Sequence, residues 1–136
     1  MSFDLGVWNM EGKVDEKVAY TIYERLANSE VSEVLVSKNV SGFVEELEKR
    51  YPDLNTFDDE NVDDCVWNSD LEMSESYVIM NIAWARAEEV YSFVEELARK
   101  YQLVFYDPQE DIAYDFRRSN NDKSNEKKKW WSFWNR

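Results

Sequence analysis

The residues best placed to do chemistry in this 136-residue chain are carboxylates: Asp58, Asp59, Glu60, Asp63 and Asp64 put five acids into seven positions. Clustered hard oxygen ligands suit Ca²⁺ or Mg²⁺. The segment, however, has no glycine at a bend and no glutamate at the distance an EF-hand loop requires, so no metal site is expected. Its better use is electrostatic, as a phosphate-like patch that a basic protein surface could grip. Histidine is absent, which removes the commonest general base and the commonest metal ligand together. Cys65, the sole cysteine, has no imidazole to lower its pKa and reads as a small buried apolar residue, not as a nucleophile. One cysteine also rules out an intramolecular disulfide and a thiolate zinc site. Among 29 acids nothing singles out the two that glycoside hydrolysis needs. No catalytic residue and no cofactor is expected, and the chain reads as a binding protein, not an enzyme.

The second chemical grouping is the C-terminal tail. Lys127, Lys128 and Lys129 adjoin Trp130, Trp131, Phe133 and Trp134, and Trp130, Phe133 and Trp134 share one face if the segment is helical. Interfacial membrane segments place lysines beside tryptophans in this way, but 11 residues with few aliphatics would hold lipid only weakly. Docking on its own body or on a second subunit is therefore expected ahead of membrane contact, and the alternative to binding a basic protein partner is a peripheral adaptor or self-associating protein that uses this tail on a membrane surface or a partner groove. Residues 1–116 carry 27 Asp and Glu against 9 Lys and Arg, a net −18, whereas residues 117–136 carry 2 against 7, a net +5. A body of that sign repels phosphates and is not expected to bind nucleic acid directly; it suits a basic protein partner. The run RRSNNDKSN at 117–125 is polar and aperiodic and reads as a flexible linker. Two parts result, an acidic α+β domain over 1–116 and a linker with its basic aromatic tail over 117–136.

The elements that must position these groups follow from periodicity. Phe3, Leu5 and Val7 alternate with Asp4, Gly6 and Trp8, the period of a strand. Trp8 lies opposite the buried set, which makes it a candidate partner contact on an open sheet face. Val18, Ile22 and Leu26 predict a helix over 15–28, and Val40, Phe43, Val44 and Leu47 a second over 40–50, ended by Tyr51-Pro52. Residues 31–36 stay unassigned. Cys65-Val66-Trp67 and the apolar run 76–84 predict an antiparallel hairpin. Ala87, Val90, Val94, Leu97 and Tyr101 mark a helix over 86–101, Leu103–Tyr106 a buried strand, Asp107–Glu110 a turn and Ile112–Phe116 an edge strand. The order predicts a ferredoxin-like sandwich of the α+β class, with an antiparallel four- or five-stranded sheet and its helices on one face. The other face would be free for a partner or a second copy in a homo-oligomer.

The segments SFDLGVW, EKRYPDL, the acidic loop leading to CVW, YVIMNIAW and VEELARKYQLVFYDPQ together resemble a family of small, functionally uncharacterised bacterial cytosolic proteins. The resemblance covers about residues 2–114, and its most specific string is LARKYQLVFYDPQ, a helix end running into a strand and turn. It implies a candidate immunity partner that binds and occludes a basic domain of a secreted toxin, such as a nuclease. The start of the chain lacks a basic segment followed by an apolar one, and no stretch approaches the ~20 apolar residues of a membrane span. A cytoplasmic location is therefore expected.

Overall fold

Alternation at the start of the chain does produce a strand, β1 (Ser2–Trp8), and the three periodic stripes produce helices α1 (Glu16–Ala27), α2 (Lys38–Arg50) and α3 (Ala87–Lys100). The remaining strands are β2 (Glu72–Met73), β3 (Tyr77–Ala83), β4 (Val104–Asp107) and β5 (Ile112–Asp115), with a short 3-10 turn at Trp84–Arg86 leading into α3. These elements come from a computed structural model that describes residues 2–30, 33–54, 60, 65–69 and 71–117.

The helix ends follow local chemistry. Asp15 caps α1 by accepting from the Val18 N–H at 2.9 Å, and Ser37 caps α2 by accepting from the Asn39 N–H at 3.0 Å. Helix α2 stops at Tyr51, whose ψ of 88° lies outside the α region that the following proline disfavours.

The five strands form one antiparallel sheet in the order β2-β3-β1-β4-β5. The fold is α+β. At the centre, β1 pairs with β3 over its whole length, from Ser2 opposite Ala83 to Trp8 opposite Tyr77. The hairpin forms with a different first strand than expected: β2 lies inside the 70–75 segment read as the turn, and Cys65–Trp67 contributes an isolated bridge from Trp67 to Ile82. Trp67 faces Ile82 and Glu72 faces Ile79, so one strand advances five positions while the other advances three.

Helix placement differs from the single covered face predicted. Phe3, Leu5 and Val7 of β1, with Val78, Met80 and Ile82 of β3, pack under α2 and α3. The opposite face carries Trp8, Tyr77, Val104 and Tyr106, and it packs under Ala19, Ile22 and Leu26 of α1. The chain between β1 and β3 therefore holds one helix on each side of the sheet. The strand order is nonetheless the split βαβ one expected, since β1 and β2 are both antiparallel to the β3 that lies between them, and α1 is an added helix on the second face. Burial of strand β4 agrees with this layering, since all four of its residues are buried, as expected for a strand covered on both sides.

Trp8 is accordingly not at an open face. It is fully buried, its indole N–H pointing at the Met10 sulfur at 3.2 Å and its ring 6.4 Å from that of Tyr106. Full burial of a side chain of this size is worth roughly 3 kcal/mol, and the cover that α1 lays over β1 supplies it. Of residues 31–36, unassigned from sequence, 31–32 lie outside the described residues and 33–36 form a connection without strand pairing. Val34 is buried in the α1 layer, and the Leu35 and Ser37 N–H groups donate to Asn9 O and Glu75 O at 2.9 and 3.0 Å.

Candidate functional site

Of the acidic loop, Glu60 alone lies among the described residues, exposed in a turn. Asp58, Asp59, Asp63 and Asp64 lie outside them, as do Lys127, Lys128, Lys129, Trp130, Trp131, Phe133 and Trp134. Cys65 is buried, with its thiol 3.8 Å from Pro52 O. Among the described residues an open groove lies on the side of α1.

The first turn of α1 runs alongside the turn between β4 and β5, and the two enclose an open groove of about 670 Å³. Asp15, Glu16, Lys17 and Tyr20 line it from the helix, and Tyr106, Pro108 and Asp111 from the hairpin. Tyr20 follows Glu16 by one helical turn, so the two share a face, and Tyr20 is 52% exposed. From the other side the Tyr106 hydroxyl donates to Asp111 Oδ1 at 2.6 Å. Burial, reinforced by that bond and by the Asp111 charge, drives the Tyr106 pKa upward and keeps the hydroxyl protonated as a donor. Asp111 sits at φ 54°, a left-handed position that aspartate tolerates better than most residues.

The turn that carries Pro108 and Asp111 is fixed from inside. Asp107, 1% exposed, accepts through Oδ1 from the Gln109 N–H at 2.9 Å and from the Gln109 side-chain amide at 2.6 Å. That amide also donates to Asp4 O at 2.8 Å while its oxygen accepts from the Asp4 N–H. One side chain thus continues the β1–β4 ladder past the last paired residues, Gly6 and Tyr106. Burial lifts the Asp107 pKa to about 6 against these hydrogen bonds.

Arg117, read from sequence as the first linker residue, belongs to the folded body. Its guanidinium takes both oxygens of Asp115 at 2.8 Å, donates to Gly12 O at 2.6 Å and also reaches Met10 O. Gly12 presents that carbonyl from φ 90°, a conformation that favours glycine. The described chain therefore ends against the 10–12 loop, three residues before Asp15 at the groove.

Carboxylates beside aromatic rings and a proline suit a cationic group carried next to apolar surface: the charge pairs with the acids, and the ring faces accept the cation and its stem. Sequence reasoning missed Tyr20, Tyr106, Pro108 and Asp111 as partners of one another. The available signals were the helix start at Asp15-Glu16 and the turn at Asp107-Pro108, which say nothing about meeting. No protein-family model, curated protein or solved structure matches the chain.

Proposed function

We propose that this chain is a small acidic interaction protein that binds a basic protein partner across the groove between α1 and the β4–β5 turn. In its most specific form the reading is an immunity protein that occludes a basic toxin domain such as a nuclease. The observation that carries it is the groove itself, where Glu16 and Asp111 stand beside an exposed Tyr20 in a body of net −18. An enzyme that grips phosphates must be basic around its site, so an acidic surface is steered to it and covers it, with association that weakens as salt rises. Among the described residues no helix is long and apolar enough to cross a membrane.

The test is capture from the protein's own cell extract by the full-length chain and by its Glu16→Gln/Asp111→Asn variant, at low and at high salt. A basic protein retained at low salt by the parent, released at high salt and lost by the variant is the expected result. Equal retention by both proteins would move the contact away from the groove, and failure to retain any basic protein would remove the reading.

A further inference from the structure

We propose that the groove is the docking site for the chain's own basic aromatic tail, with Lys127–Lys129 on the Glu16 and Asp111 carboxylates and the adjoining tryptophans on the Tyr20–Pro108 side. The inference rests on the reading of the groove as a binding surface and names an occupant for it. Three observations converge. The first is where the described chain ends. Arg117 is tied to Gly12 O and Asp115, and Gly12 precedes Asp15 of the groove by three residues, which span at most about 11 Å. The tail therefore starts beside the groove and not across the molecule from it.

The second is reach. Lys127 lies ten positions beyond Arg117, and ten chain steps extend to about 36 Å at most. The third is complementarity. The tail carries lysines immediately before Trp130, Trp131, Phe133 and Trp134, and the groove sets carboxylates immediately beside Tyr20, Tyr106 and Pro108. Covalent attachment places the tail at an effective concentration on the order of millimolar, so even a weak contact is populated. A foreign basic segment would have to displace the tail, which makes the tail a built-in competitor that favours strongly bound partners.

Carbodiimide coupling of the full-length protein tests this, because the reagent joins an amine to a carboxylate only where the two are in contact. The monomer band, cut from a denaturing gel and mapped by mass spectrometry, is expected to show Lys127, Lys128 or Lys129 joined to Asp15, Glu16 or Asp111. These links should disappear at high salt and fall several-fold in Tyr20→Ala, whose exposed ring can be removed without disturbing the core; an unchanged far-UV circular dichroism spectrum checks that the fold persists. Links from the tail lysines to acids elsewhere, such as Asp58–Asp64, would overturn the proposal. Links confined to a dimer band, or no tail links at all, would overturn it too. None of those failures touches the capture experiment, which reads the use of the groove by a foreign partner.

Discussion

Asp107 shows how a single carboxyl shapes both the turn beside the groove and the pH response of the fold. Its oxygen orders Gln109, yet burial holds its pKa near 6, above the ordinary 3.8, with the nearby Glu110 charge pushing the same way. A carboxyl whose pKa is raised on folding binds its proton more tightly in the native state. The stability it contributes is thus fully present below about pH 3.8 and is lost as the pH rises through about 6. The loss is on the order of 2–3 kcal/mol. Asp107→Asn keeps the accepting oxygen and cannot ionise. The variant should melt several degrees above the parent well above pH 6, and the gap should close below about pH 4. A gap independent of pH in thermal melts would show that the ionised carboxylate is fully compensated. Gln109 is the other residue of this turn that acts beyond its own position, through both backbone groups of Asp4. Gln109→Ala is expected to cost about 1–3 kcal/mol in denaturant titration. Gln109→Glu, which sets a carboxylate oxygen against Asp107 Oδ1 and Asp4 O in place of the donor, should cost more than Gln109→Ala at neutral pH.

At the scale of elements, the contact between α2 and α3 depends on a residue that helix propensity alone would replace. A Cβ added at Gly42 would lie 2.5 Å from the Tyr101 ring. The ring is not free to swing, since its hydroxyl donates to Glu46, which also binds Lys100 at 2.7 Å. Alanine for glycine inside a helix ordinarily stabilises by about 1 kcal/mol. Here overpacking should outweigh that gain and leave Gly42→Ala destabilised by about 1–2 kcal/mol. The same exchange made in a Tyr101→Ala background should turn stabilising, and a double-mutant cycle of unfolding free energies reads the sign change directly. Neither the close approach nor the face each helix takes was visible in periodicity, which reports that a stripe is apolar but not which side of a sheet it covers. Val18, Ile22 and Leu26 located α1 to within one residue of its observed bounds, and said nothing of its separation from α2 and α3. A usable hint did exist in the uninterrupted apolar run Leu103–Tyr106 and in the large Trp8 opposite Phe3, Leu5 and Val7. Strands apolar on both faces need cover on both, so an open face bearing Trp8 was already at odds with the residue beside it. The groove was legible only as two unrelated ends, a capped helix start at Asp15 and a proline turn at Pro108. Sheet register and the packing of α1 bring those ends together across some ninety positions.

For the whole molecule the decisive quantity is the opposition of a −18 body to a +5 terminus. A compact body of that charge repels itself, and added salt screens the repulsion. If the tail lysines sit on Glu16 and Asp111, they offset part of the repulsion where the acids of α1 and of the β4–β5 turn face each other. Reversing them should then do more than shift the net charge of a distant segment by six units. Exposed side-chain pairs are individually worth less than about 1 kcal/mol, so a modest effect that depends strongly on salt is the signature sought. Lys127→Glu/Lys128→Glu/Lys129→Glu is expected to lower Tm by a few degrees at low ionic strength and to match the parent at high ionic strength. In a Glu16→Gln/Asp111→Asn background the reversal should cost less, because the carboxylates it would confront are gone. An equal loss in both backgrounds would assign the effect to overall charge, and would place the tail's electrostatic contribution outside the groove.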